Sequence, residues 1–151
     1  MKVKSIEHIV KKVTVLMATV VLSTAAFGMT ASAAELGSDT ISQAVYGTTA
    51  TGTLTVHDTY ANAVTSYARS GSNISISATV KASFRFNGKD ITISDYDNTM
   101  GGGVSAVVEL SVNQYPNAVF LTAEGQHEVR NYVNGALLSS GYWLDFTRWV
   151  R

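Results

Sequence analysis

Near the end of the chain, Tyr142, Trp143, Asp145 and Trp149 are the side chains best suited to meet a ligand, and both tryptophans of the sequence lie in this stretch. On a strand, Trp143, Asp145, Thr147 and Trp149 share one face, and Tyr142, Leu144, Phe146, Arg148 and Val150 share the other. Flat aromatic side chains stack on sugar rings or on apolar protein surface and lose little rotamer entropy in doing so. An exposed Trp face would thus be a platform for an extracellular carbohydrate or protein. The competing assignment sends one of the two faces into the core.

Asp95-x-Asp97-x-Thr99 places three oxygen ligands on alternate residues, as a calcium loop opens. The sixth position is Met100 rather than Gly and the twelfth is Ala106 rather than Glu, so the plainer reading is an acidic surface loop. No cofactor is predicted, and Ca2+ at Asp95, Asp97 and Thr99 is the one metal assignment the sequence offers. Gly101-Gly102-Gly103 leads into a strand pattern, whereas a phosphate cradle needs a helix N-terminus behind it. His57 and His127 lack zinc-ligand spacing and read as exposed or cross-strand histidines. There is no Gly-x-Ser-x-Gly elbow. Glu109, Glu124, Glu128 and Asp145 would be the carboxylates available to a glycoside hydrolase. The chain has no cysteine, which removes thiol chemistry and disulfides alike.

The segment ahead of these residues reads as an address. Lys2, Lys4, Lys11 and Lys12 form a basic start, Val13 to Leu22 an apolar centre, and Ala31-Ser32-Ala33 a cleavage site. This is a secretory signal peptide of bacterial type over residues 1–33, leaving one domain over 34–151. The apolar run is too short and too often broken by Thr, Ser and Gly for a membrane span. Beyond Ala33, seven Lys and Arg stand against ten Asp and Glu, a net charge of −3. That balance argues against nucleic acid as a partner and supplies no polybasic patch for anionic membranes.

The stretch that organises the domain is Asn73 to Ile93, and its central strand is Asn73 to Phe86. Ile74, Ile76, Ala78, Val80, Ala82, Phe84 and Phe86 alternate with Ser, Thr, Lys and Arg, the pattern of a strand with one dry face and one wet face. Asn87-Gly88 follows and suits a two-residue type I′ turn, which would set Phe84 opposite Ile91 and Arg85 opposite Asp90. A strand of this length should bend, and Ala78 and Ala82 are the expected places. Ala50 to His57 reads as another strand with Thr51, Thr53, Thr55 and His57 facing water. Ala61 to Arg69 fits strand better than helix. Strands over Asp90–Ser94, Val104–Val112, Ala118–Ala123, Gln126–Val133 and Ala136–Ser140 follow, the last two joined by Asn134-Gly135. Glu35 to Ser42 reads as a loose N-terminal segment, and Asp95 to Gly103 as a long loop.

Eight or nine strands with frequent turn signals and no convincing helix predict an all-β fold, an antiparallel β-sandwich or partly closed barrel built from hairpins. The function expected of such a chain is a secreted, non-catalytic binding module for polysaccharide, cell envelope or protein. Two other classes share its features: a membrane-active toxin, whose hairpins would line a pore, and a small polysaccharide hydrolase.

Overall fold

The computed structural model describes residues 33–69, 71–100 and 105–151. The expected signal peptide, apart from Ala33, and the glycine run at 101–103 lie outside the described residues. Eight strands follow in order: β1 (Glu35–Val45), β2 (Thr48–His57), β3 (Tyr60–Tyr67), β4 (Ile74–Phe86), β5 (Lys89–Met100), β6 (Ser105–Ser111), β7 (Val119–Val133) and β8 (Ala136–Val150). They form two antiparallel four-stranded sheets, sheet I with order β1-β2-β3-β6 and sheet II with order β5-β4-β7-β8. The all-β antiparallel sandwich predicted by the alternation is the observed fold.

Alternation decides which side of each strand is dry. On β4, Ile76, Ala78, Val80, Ala82 and Phe84 are buried against the other sheet, where Leu54 and Val56 of β2 and Ala61 and Ala63 of β3 meet them. The apolar side of the central hairpin therefore faces protein. At one end of the sandwich, Phe84 packs on Tyr115 at 4.8 Å and on Phe120 at 6.2 Å between ring centroids, closing the core under the 113–117 turn. Tyr67 is fully buried, and its hydroxyl donates to the Val45 carbonyl at 2.8 Å, which satisfies its one polar atom.

Three hairpins turn on positive-φ pairs: Tyr46-Gly47 (φ 46 and 74), Asn87-Gly88 (φ 50 and 75) and Asn134-Gly135 (φ 51 and 78). Positive φ at both central residues is what a two-residue hairpin of this hand requires. The central hairpin has the expected register, Phe84 opposite Ile91 and Arg85 opposite Asp90, and the latter pair is closed by an ion pair of 2.8 Å.

Four readings of the sequence are corrected. Residues 35–42 are ordered as β1, which pairs with β2 along its length because the Tyr46-Gly47 turn folds it back. Asp95 to Met100 continues β5 rather than forming a loop, since β4 offers it partners as far as Ser75 opposite Met100. The segments around Gly125 and Gly141 do not break strands, so β7 and β8 each run 15 residues. At Ala78 and Ala82, where a bend was expected, the register of β4 is regular on both sides; the slip comes between Ser83 and Phe84, and the extra residue, Leu121, belongs to β7.

Candidate functional site

On β8 Trp143 and Thr147 face the core, and Asp145, on the same face, stays exposed at the sheet edge. Trp143 is buried at 2% exposure and Thr147 is fully buried, while Trp149 packs against the core edge with its indole over Gly37 of β1. Trp143 is therefore a core residue and not a surface platform. The apolar area of the indole favours burial between the sheets, and its Nε1–H has no hydrogen-bond partner there. The face open to solvent is the other one, with Tyr142, Leu144, Phe146 and Val150 all substantially exposed. Of the four expected ligand residues, only Tyr142 lies on it.

The acidic residues explain themselves through the sheet edges. β5 and β8 are the edges of sheet II, and β1 and β6 those of sheet I. An edge strand leaves every second N–H without a ladder partner. Asp95 Oδ1 accepts the Tyr96 amide at 2.8 Å, and Asp145 Oδ1 accepts the Phe146 amide at 2.8 Å, so each caps its own strand. Asp97 Oδ2 reaches from β5 to the Val107 amide of β6 at 2.9 Å. Asp39 Oδ2 reaches from β1 to the Arg148 amide of β8 at 2.9 Å. Thr99 donates to the Ser105 carbonyl at 3.0 Å, and the Tyr46 amide to the Ser140 carbonyl at 3.0 Å. Both seams of the sandwich are thus bridged, each by one carboxylate and one bond to a backbone carbonyl. Asp95, Asp97 and Thr99 do share one side of β5, but each spends a side-chain oxygen on a hydrogen bond within the protein. Among the described residues no group of three His, Cys, Asp or Glu side chains is placed to hold a metal.

His57 is the cross-strand histidine expected of it, whereas His127 departs from the expected surface setting. His57 stacks on Tyr60 at 4.2 Å between centroids. His127 is fully buried between the sheets. The Thr65 hydroxyl donates to the Ser77 carbonyl at 2.8 Å, so its oxygen is free to accept from His127 Nδ1–H at 2.9 Å. Nε2 is then the acceptor and takes the Thr147 hydroxyl proton at 2.8 Å. This chain assigns the neutral Nδ1–H tautomer. Burial lowers the His127 pKa from 6.5 to about 4, against the opposing pull of Asp145 and Asp39. Such a group is a packed structural histidine, closed off from solvent.

The outer faces of both sheets are open to solvent, and that of sheet II carries the exposed aromatic side chains Tyr96, Tyr142 and Phe146. The register of sheet II stacks side chains in rows across the four strands. One row is Tyr96, Thr79, Gln126 and Phe146; the next is Asn98, Ser77, Glu128 and Leu144; a third is Met100, Ser75, Arg130 and Tyr142. The middle of the face is polar, with hydroxyls, the Gln126 amide and the Glu128–Arg130 pair, and its margins are apolar or aromatic except at Asn98. Tyr96 is 57% exposed and Phe146 39%. They stand at opposite edges of a single row, three strand spacings or about 14 Å apart. Each follows a capping aspartate, so Asp95-Tyr96 and Asp145-Phe146 are the same device on the two edges.

Three ion pairs consume the carboxylates of this face: Arg85–Asp90 at 2.8 Å, Arg130–Glu128 at 2.7 Å and Arg148–Glu124 at 3.1 Å. Glu128 also accepts from the Ser77 hydroxyl at 3.3 Å, and Glu109 lies on the other sheet, in β6. The wet side of β4 was legible in the sequence. Its continuation onto β7 was hidden by reading Gly125 as a break. In comparisons with known proteins, the chain matches no family model, no curated protein and no solved structure.

Proposed function

We propose that the protein is a secreted, non-catalytic binding module that holds an extracellular polysaccharide across the outer face of sheet II. The observation that carries this reading is the row Tyr96, Thr79, Gln126, Phe146, two exposed rings at opposite edges of a polar floor. A saccharide chain offers both things this row can use: C–H faces that stack on rings, and hydroxyls that exchange hydrogen bonds with Ser, Thr and Gln side chains. A protein partner is less well matched, because the centre of a protein interface is depleted in charge and apolar, and here the apolar residues sit at the margins. The carboxylates are held by arginines, which favours binding over acid–base chemistry. Secretion is supported by the basic start, apolar centre and Ala-x-Ala of the first 33 residues.

Affinity electrophoresis in gels containing soluble polysaccharides tests the reading. Tyr96→Ala and Phe146→Ala should each weaken retardation by about fivefold or more, the effect of losing roughly 1 kcal/mol, with melting temperatures close to the parent's. Variants that bind as the parent does would overturn it.

A further inference from the structure

The charge arrangement beside the ring row points to the chemistry of the ligand, taking the proposed binding face as given. One row further along the strands lie Ser94, Lys81, Glu124 and Arg148. Lys81 stands directly opposite Glu124 in the register, but the Glu124 carboxylate is held by Arg148 Nε at 3.1 Å. Among the described residues Lys81 forms no ion pair. The outer face carries Lys81, Arg85, Arg130 and Arg148 against Asp90, Glu124 and Glu128, and each of these three carboxylates is already paired with one arginine. The uncompensated charge of the face is therefore the Lys81 ammonium.

That ammonium lies at an open cavity of about 280 Å3, lined among others by Lys81, Ser83, Thr122, Glu124, Arg148 and Val150. Two residues along a strand is about 7 Å, so a substituent on a sugar seated over the ring row reaches this cavity. On the other side of the ring row, the Glu128 row offers a carboxylate already bonded to Arg130 and Ser77. Both flanks thus carry one Glu–Arg pair, and the face is asymmetric because only the flank with Lys81 adds an unpaired cation that would welcome an anionic substituent.

We propose that the polysaccharide is acidic, and that Lys81, beside Arg148 and the hydroxyls of Ser83 and Thr122, receives its anionic group. Lysine is a compact point charge without the planar fork of arginine, so a carboxylate and a sulfate meet the same requirement. The net negative charge of the chain beyond Ala33 does not oppose this at short range, because salt near 0.1 M screens charges more than about 10 Å away.

The test uses three gels, containing a polyuronate, a sulfated galactan or a neutral galactan. The parent protein should be retarded more by at least one acidic glycan than by the neutral one. Raising NaCl from 50 to 300 mM should reduce that preference. Lys81→Gln, an exposed substitution verified as folded by circular dichroism, should cut retardation in the acidic gel at least threefold and leave the neutral gel unchanged. Which acidic gel responds identifies carboxylate or sulfate as the anion. Equal retardation in acidic and neutral gels, or a Lys81→Gln protein that behaves as the parent in the acidic gel, would overturn the acidic assignment while leaving the ring row standing. Full retardation of Tyr96→Ala and Phe146→Ala would overturn the ring row itself, and no retardation of the parent in any gel would overturn both.

Discussion

The imidazole of His127 occupies space that two glycines leave for it. A Cβ built on Gly52 of β2 would overlap the ring, and one on Gly125 of β7 would stand 2.5 Å from Thr147 Oγ1 and 2.9 Å from His127 Nε2. Gly52 lies on the opposite sheet, so it sets how closely sheet I approaches the histidine. Gly52→Ala should therefore displace the ring, stretch its bonds to Thr65 and Thr147, and destabilise the fold by about 1–3 kcal/mol, the usual cost of overpacking. Chemical denaturation would measure it, and an unchanged midpoint would contradict the close approach. This arrangement explains why some residues were legible in the sequence and others were not. Asn87-Gly88 and Asn134-Gly135 announce their turns because asparagine and glycine tolerate positive φ. Tyr46-Gly47 makes the same turn with a bulky residue at φ 46, and is held by Arg69, whose guanidinium lies 4.6 Å from the Tyr46 ring centroid. That contact joins residues distant in sequence, so the turn gave no local signal. Trp143 was ambiguous for a different reason. The parity of β8 groups the tryptophans correctly, but only the neighbouring sheet decides which side is covered.

At the scale of the element, the strands are long and the sheets short of partners. Sheets of four strands leave four edges, and exposed edges invite pairing with another chain. Here aspartates occupy edge donors: Asp95 and Asp145 on their own strands, and Asp39 and Asp97 across the two seams. A negative side chain on an edge N–H blocks a foreign carbonyl both by occupying the donor and by repelling the oxygen. The Asp-x-Asp-x-Thr spacing that resembles the opening of a calcium loop thus has a structural use here, as alternate residues of an edge strand. The two pairs should respond differently to substitution. Asp39→Ala and Asp97→Ala each remove a charged bond between sheets and should cost about 1.5–3 kcal/mol. Asp95→Ala with Asp145→Ala removes only self-caps, so stability should change little while the edges open. Light scattering of the double variant should show concentration-dependent association that the parent lacks, and a strictly monomeric double variant would contradict the capping role.

For the molecule as a whole, a chain without disulfides rests on packing and on buried bonds, and the buried His127 ties that packing to pH. In the unfolded chain this imidazole titrates near its ordinary 6.5, and in the folded chain burial lowers it to about 4. Between those values the unfolded state binds a proton that the folded state refuses. Stability must then rise with pH across the window, and fall as acid is added from about 6.5 toward 4. The part of the window from pH 7 to pH 5 is the part in which an ordinary imidazole takes up its proton. Two-state linkage with these pKa values gives a loss of about 2 kcal/mol over that interval. Urea unfolding at pH 7, 6 and 5 should show it. His127→Gln, whatever its effect on stability at pH 7, should flatten most of the slope, since His57 is present in both proteins and cancels in the comparison. A parent whose unfolding midpoint is constant from pH 7 to pH 5, or a His127→Gln variant with the parent's full slope, would show that the buried ring does not carry the acid sensitivity of the fold.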